Sequence, residues 1–254
     1  MPNKAVFQAV RRGSGHFLGL LLCAALAACQ GGQNTQPPPP PPNSPPHPYT
    51  TRFPKTENPI SEGGYWINGG TVGLAWTNAR TTPGFAFGTM VGTDAAPQSF
   101  ADSTAVLAGT WNPNQAVTIT VAAPSPSSAN GVYEEVEIRL RTAITANSIT
   151  GYEINCSVST DPTNGNYLQL IRWNGALGDF TQLDAIVTHC VSGDVLKASI
   201  SGSSISVYLN NMSTPVMSWG DSTYSTGNPG LGFFLQGATG LDANYGISSF
   251  TASD

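Results

Sequence analysis

Two glutamates, Glu135 and Glu137, have the spacing that most directly suggests chemistry, and they lie in the stretch VYEEVEIRLR. Residues two apart in a strand point to the same face, so the two carboxyls are predicted to lie side by side. A pair of carboxyls about 5–5.5 Å apart can act as nucleophile and acid in glycoside hydrolysis. Arg139 and Arg141 continue the same row. The row therefore predicts a solvent-exposed face of cross-paired charges, with a binding role and catalysis as the alternatives.

A second candidate site centres on Trp173, which ends the apolar stretch YLQLIRW just before Asn174. A turn at that point would bring the indole ring to the rim of the domain. Asn155, Arg172 and Asn174 are the polar neighbours that we expect around it. Sugar sites combine an aromatic platform with a few amide and carboxylate groups. The sequence thus predicts a ligand-binding site at Trp173, with a tryptophan buried in the core as the alternative.

The beginning of the chain has the pattern of a secretion signal. Lys4, Arg11 and Arg12 precede a short apolar run at residues 17–28, and no acidic residue occurs before Glu57. A basic start followed by a short apolar segment and small residues is typical of an exported protein. The run is too short for a membrane-spanning helix, which takes about 20 apolar residues.

The end of this signal, Leu26-Ala27-Ala28-Cys29, resembles the lipobox of bacterial lipoproteins. The resemblance implies that residues 1–28 are removed, that Cys29 is lipidated, and that the membrane holds the protein through this lipid anchor. Gln30 in place of aspartate favours the outer membrane or cell surface of a Gram-negative bacterium. Residues 29–48 include six consecutive prolines and predict an extended, unfolded tether. An ordinary secreted protein with an incidental Cys29 is the alternative.

Export also decides how the remaining cysteines are interpreted. Cys23 leaves with the signal, so only Cys156 and Cys190 stay in the domain with free sulfurs. In an oxidising compartment two such residues are predicted to form a disulfide. Two free thiols, or a reactive or metal-binding group with His189, are the alternatives. Two cysteines and one histidine do not complete a zinc set, and we expect no cofactor.

Charge and pattern together describe residues 49–254 as one all-β domain. The formal net charge is −5 and becomes about −8 when Lys4, Arg11 and Arg12 leave, so a basic nucleic-acid surface is excluded. Short alternating stretches such as AVTITVA and VYEEVEIRLR are separated by Gly, Asn, Pro and Asp. This pattern is typical of a sandwich or jelly roll of two antiparallel sheets. The stretch VLKASISGSSISVYLN predicts a hairpin around Gly202.

The last three stretches, GDVLKASISGSSISVYLNN, DSTYSTGNPGLGFFLQG and YGISSFTASD, resemble the final strands of concanavalin A-like (laminin G-like) jelly-roll domains. That superfamily includes lectins, carbohydrate-binding modules, glycoside hydrolases and polysaccharide lyases. Its laminarinase-like hydrolases carry a Glu-x-Asp-x-Glu strand, and here the middle aspartate is absent from the stretch around Glu135 and Glu137. Its lyases carry a Gln-x-His element, and His189 lies outside such a motif.

The resemblance therefore implies a carbohydrate-binding domain, or one for another surface partner, more than an enzyme. A carbohydrate-active enzyme with a degenerate motif is the alternative. Structural calcium is common in the superfamily, often near the chain ends, so Glu62 and Asp254 are candidate ligands.

Overall fold

The computed structural model describes residues 43–90, 102–163 and 165–254. The expected signal peptide, Cys29 and most of the tether lie outside these residues. Strands dominate the described chain, with short 3-10 turns at Gly70–Val72 and Asp242–Asn244. No helix in these ranges is long and apolar enough to cross a membrane.

Fifteen strands are present in the described ranges. They are β1 (Tyr49–Thr51), β2 (Trp66–Asn68), β3 (Arg80–Thr82), β4 (Phe85–Phe87), β5 (Ser103–Leu107), β6 (Gln115–Ala122), β7 (Tyr133–Thr145), β8 (Ser148–Ser157), β9 (Leu168–Ala176), β10 (Phe180–Ile186), β11 (Val195–Ser201), β12 (Ser204–Leu209), β13 (Met217–Gly220), β14 (Asn228–Gln236) and β15 (Gly246–Ser253).

These strands form two antiparallel sheets. The eight-stranded sheet has the order β13-β12-β11-β6-β15-β4-β3, with β1 paired to β15, and the seven-stranded sheet has the order β10-β9-β8-β7-β14-β5-β2. Neighbours in space are often distant in sequence: β14 lies between β5 and β7, and β15 lies between β4 and β6. The predicted all-β sandwich is confirmed.

The core fills the space between the sheets, because each sheet turns one apolar face inward. In β6 the buried residues are Val117, Ile119 and Val121, and in β7 they include Val136 and Ile138. The predicted hairpin is also present, since Ser201 pairs with Ser204 across the β11–β12 turn. Gly202 has a φ of +57° there, which a residue without Cβ adopts most easily.

The folded part begins before the boundary expected at Tyr49. Pro45 is buried, and the Asn43 side chain donates a hydrogen bond to the carbonyl oxygen of Gly63 at 2.7 Å. His47 stacks on Trp111 with 3.8 Å between the ring centroids. The end of the expected tether therefore packs on the domain, because proline and histidine rings offer apolar surface that this part of the sandwich covers.

Candidate ligand-binding site

The outer face of the seven-stranded sheet, turned away from the core, carries a charged layer. Register explains its composition: Glu137 of β7 lies opposite Asn155 of β8, and Arg139 lies opposite Glu153. Since alternate residues of each strand share a face, all of these side chains project outward. We call this group the acidic layer; its members are Asp102, Glu135, Glu137, Arg139, Glu153 and Asn155.

Arg139 is the centre of the acidic layer and is fully buried. Its guanidinium donates to Asp102 at 2.9 Å and also to Glu137 and Glu153. Neighbouring β14 makes room for this arrangement, because a Cβ on Gly232 would lie 2.1 Å from a carboxylate oxygen of Glu137. One cation thus holds three carboxylates together on a sheet face that has no part in the main core.

The acid–base properties of the layer follow from its burial. Desolvation raises the pKa of Glu135 to about 8, with the negative charge of Glu153 adding to the effect. Burial also raises the pKa of Asp102 and of Glu137 well above the usual carboxyl range, and the neighbouring acids add to it. Burial alone would lower the pKa of Arg139, but the surrounding carboxylates raise it above its ordinary value. The guanidinium therefore stays charged while part of the acid group is protonated at neutral pH.

Glu135 and Glu137 do share one face, as predicted, but the expected solvated face is wrong. Glu135 is 7% exposed and Glu137 is 1% exposed. Arg141 also leaves the predicted row of cross-paired charges, because its guanidinium donates to the carbonyl oxygens of Pro113, Tyr224 and Gly202. The acids pair instead with Arg139 and, for Glu135, with the hydroxyl of Tyr167.

Trp173 does not lie at the rim, and this expectation of an exposed platform is wrong. The residue is 3% exposed and packs with Trp76 in a small second core on the outer face. Its indole nitrogen donates to Glu153 at 2.5 Å. The physical reason is the connection at residues 69–79, which folds over β8 and β9 and places Trp76 against Trp173 at 4.7 Å between centroids. Trp76 also covers Arg139, whose guanidinium carbon lies 5.2 Å from the ring centroid.

The three polar residues expected around Trp173 separate into two places. Asn155 lies with Trp173, because both donate to the carboxylate of Glu153. Arg172 points to the opposite face of β9, where its side chain binds Asn174 at 3.1 Å and Asp221 at 2.5 Å. A single site that contains all of the predicted residues is therefore not formed, since neighbours in a strand alternate between faces.

No family model and no curated protein matches the sequence. Among solved structures, the carbohydrate recognition domain of Emp46p in its metal-free form is similar with a TM-score of 0.52 and 8% identity, covering 81% of this chain and 95% of that chain. The metal-free exoplasmic/lumenal domain of VIP36 has a TM-score of 0.50 and 10% identity, covering 81% and 93%. The carbohydrate-binding module CBM66 from Bacillus subtilis has a TM-score of 0.49 and 14% identity, covering 75% and 98%.

The chain has a concanavalin A-like jelly-roll fold. Identities this low establish the fold alone, and the fold accounts for the two antiparallel sheets but not for the residues on them. The predicted jelly roll is thereby confirmed.

The predicted disulfide is present in this jelly roll. Cys156 of β8 and Cys190, just before β11, are bonded with their Cα atoms 5.9 Å apart. Both are fully buried, which leaves no thiol for the alternative chemistry with His189. The bridge connects the seven-stranded sheet to the segment that enters the eight-stranded sheet. Cys29 lies outside the described residues, and its lipidation stays a prediction.

The expected calcium ligands are placed in other contacts. Glu62 accepts hydrogen bonds from Thr51 at 2.5 Å and from Trp66 at 3.0 Å, and Asp254 contacts the ring of His47 at 3.0 Å. The acids that do come together in the described chain are Asp102, Glu137 and Glu153, with oxygens within 4.8 Å of one another. Arg139 donates hydrogen bonds to all three carboxylates and supplies one of the positive charges that a metal ion would bring there.

Sequence reasoning missed four residues of the site. Glu153 alternates with the core residues of β8, so the sequence does indicate that it lies on the outer face. Asp102, Trp76 and Tyr167 instead lie in or next to connections between strands. No periodic pattern marks a residue in a connection, because its position depends on where distant strands bring the chain.

Proposed function

We propose that this protein is an exported, lipid-anchored domain that binds a glycan on the outer face of its seven-stranded sheet. The acidic layer and the tryptophans beside it form the site. The ligand is a neutral, hydroxyl-rich glycan, because the partly protonated acids and Arg139 offer hydrogen-bond donors and acceptors, while the guanidinium is already bound by carboxylates and is not free to pair with a uronic acid.

One observation carries this proposal: the layer contains buried polar atoms of both kinds that have no hydrogen-bond partner among the described residues. Asn155 Oδ1 and Glu137 Oε1 are acceptors, whereas Trp76 Nε1 and Arg139 Nε are donors. Buried polar groups are nearly always paired, so three such atoms in the layer and a fourth on the adjacent Trp76 need an explanation. A metal ion would satisfy only the acceptors, and an anion only the donors. A sugar hydroxyl donates and accepts, so a glycan that displaces the side chains at the Glu135 end of the layer would suit both kinds of atom.

The cost of the layer supports a functional role. Charges removed from water are expensive to bury, and an arginine with three carboxylates contributes little net stability compared with apolar packing. The core of this protein lies on the other side of the sheet and does not need them. Ionisable groups with strongly shifted pKa values are concentrated at functional sites.

The approach to the layer is from its Glu135 end. Glu135 and Asn155 are its most exposed members, and the half-buried Tyr167 donates its hydroxyl to Glu135. We infer that a glycan first contacts these three side chains, while Arg139 fixes the carboxylates behind them.

Similarity of fold agrees with this proposal without deciding it. The Emp46p structure is titled a carbohydrate recognition domain, and at 8% identity it shares the architecture with this chain. The lipobox-like Cys29 and the proline-rich tether support a location at the outer membrane or cell surface. Mass spectrometry tests the anchor: acyl groups on Cys29 are expected, and an unmodified Cys29 in the exported protein would contradict it.

Binding is tested with the detergent-solubilised, full-length mature protein on a panel of neutral polysaccharides: a β-glucan, a xylan, a mannan and a fructan. Glu135→Gln and Asn155→Ala should each weaken binding by about ten- to hundredfold, the range expected for a hydrogen bond to a charged or buried partner. Tyr208→Ala, on the outer face of the other sheet, is the matched control and should bind like the wild type. Equal binding by all four proteins would contradict the site, and no binding by the wild type would contradict the function.

A carbohydrate-active enzyme remains the second candidate, and one observation favours it. Asp102, Glu137 and Glu153 lie close together, and the pKa values of Asp102 and Glu137 are raised, as a general acid requires. The enzyme is disfavoured because Arg139 binds all three carboxylates, which are therefore not free to act on a substrate. Release of reducing ends or unsaturated sugars by the wild type, lost in Glu137→Gln, would establish the enzyme.

A further inference from the structure

The edge of the sandwich carries an exposed aromatic residue that the acidic layer does not use. Trp219 lies in β13, the edge strand of the eight-stranded sheet, and is 42% exposed. The other four tryptophans are at most 5% exposed, and all five lie in the described ranges. Keeping so large an apolar ring in water is unfavourable, which makes this position a candidate for contact with a ligand.

Strand register fixes the direction in which Trp219 points. It pairs with Ile205 of β12, whose side chain is in the core, so the indole also faces the seven-stranded sheet. The ladder continues past β13, because Asp221 N donates to Ser203 O at 2.9 Å. Residues two apart share a face, so Asp221 projects beside Trp219, about 7 Å away along the strand.

Asp221 leads directly to a group of polar side chains from the other sheet. Its carboxylate accepts hydrogen bonds from Arg172 at 2.5 Å and from the hydroxyl of Tyr152 at 2.6 Å. Arg172 also donates to Asn174 at 3.1 Å and to Thr223 at 3.0 Å. These contacts hold the guanidinium and the carboxylate in fixed positions between β9 and the residues that follow β13.

We infer that Trp219, Asp221 and Arg172 form a second carbohydrate-contact site, separate from the acidic layer. The exposed indole offers a flat apolar surface to the C–H groups of a sugar ring, and the fixed polar side chains offer partners for its hydroxyls. The Arg172–Asp221 pair is balanced in charge, which suits a neutral chain. Because Trp219 is exposed on an edge strand, it can contact the interior of a long polysaccharide chain as well as its end.

The proposal also explains the polar residues around the buried Trp173. Arg172 and Asn174 have the residue types of sugar-binding neighbours, and Arg172 binds Asp221, which lies two residues after Trp219. The inference rests on the proposed function only in that the ligand is a glycan. The residues of this second site, and the part of the molecule on which they lie, differ from those of the acidic layer.

The experiment uses the full-length mature protein and the same panel of polysaccharides. Trp219→Ala should weaken binding to the polysaccharide that binds best by about thirtyfold, the usual effect of losing a central aromatic contact. Val216→Ala removes an exposed apolar residue just before β13 and is the matched control, with wild-type affinity expected. Thermal unfolding of each variant checks that the fold is retained.

A second measurement needs no variant. Iodide should quench the fluorescence of the exposed Trp219 selectively, and the bound polysaccharide should protect it. Binding that leaves quenching unchanged would overturn the inference, as would a Trp219→Ala variant with wild-type affinity. If Glu135→Gln loses binding while Trp219→Ala keeps it, the proposed glycan binding at the acidic layer is supported and the second site at Trp219 is contradicted. If Trp219→Ala changes only the oligomeric mass of the protein in solution and not its affinity for polysaccharide, the edge strand is an interface with a second copy of the chain. That result would also contradict the second carbohydrate site.

Discussion

The outer faces of the two sheets have similar sequence patterns and very different surroundings. On the eight-stranded sheet, β6 alternates strictly, with Val117 and Ile119 buried and Thr118 and Thr120 half-buried. On the seven-stranded sheet, β7 is buried on both faces from Glu134 to Thr142. The first face needs only hydroxyls that water can solvate. The second carries charges that must find partners within the protein, and this difference indicates where a ligand is recognised.

The largest effect should come from breaking the centre of the charged face. Arg139→Met leaves three buried carboxylates without their cation, and removal of one partner from a buried ion pair costs about 3–5 kcal/mol. Lys197→Met, on the outer face of the eight-stranded sheet, is the matched control and should change stability by less than about 1 kcal/mol. Urea unfolding measures both. Equal effects of the two changes would show that the two faces do not differ as described.

The next effect concerns the bond that connects the sheets. Reduction of Cys156–Cys190, or replacement of both residues by alanine, opens a loop with a sequence separation of 34. The loop-entropy estimate gives a loss of about 3–4 kcal/mol. Peptide mapping without reduction should find the bridge, and two alkylatable thiols in the unfolded, unreduced protein would contradict it.

An effect that is smaller for each pH unit is a dependence of stability on pH that belongs to the charged face alone. Burial raises the pKa of Glu135 from 4.5 to about 8, so between these values the folded state holds a proton that the unfolded state has released. The stabilisation is complete below about pH 4.5 and decreases as the pH rises towards 8, by up to about 1.4 kcal/mol per pH unit for one proton.

Asp102 and Glu137 act in the same direction, since their pKa values are raised too. Glu135→Gln should reduce the slope of unfolding free energy against pH by about 1 kcal/mol per unit. Thr118→Val, on the outer face of β6, changes no ionisable group and is the control, for which the wild-type slope is expected. A slope that is unchanged in Glu135→Gln would show that this carboxyl is ionised in the folded protein.

The smallest effect tests whether a metal ion takes part in the charged face. Arg139 already balances Asp102, Glu137 and Glu153 in part, so EDTA should shift the Tm by less than about 1 °C, well under 1 kcal/mol for a domain of this size. An increase of several degrees on addition of calcium would contradict this and would favour these three acids as ligands.

The contrast between the faces also shows what the sequence could predict. Alternation in β6 and β7 predicts strands and the inward side of each, because those depend on the local pattern. The alternation does not reveal that the connection at residues 69–79 covers the outer face of the seven-stranded sheet. From the sequence alone, Glu137 is therefore expected to be solvated and Trp173 to lie at the rim of the domain. Arg139 and Asp102 are distant in sequence, and only the pairing of β14 between β5 and β7 brings their strands close.

The most direct test of the central claim uses four of the five indole groups as reporters in a ¹⁵N-labelled protein. Trp76 and Trp173 lie against the acidic layer, whereas Trp66 and Trp111 lie elsewhere in the main core. Addition of the best-binding neutral polysaccharide should shift the indole Nε1–H signals of Trp76 and Trp173 and leave those of Trp66 and Trp111 unchanged. Unchanged signals of Trp76 and Trp173 at saturation would contradict binding at the charged face.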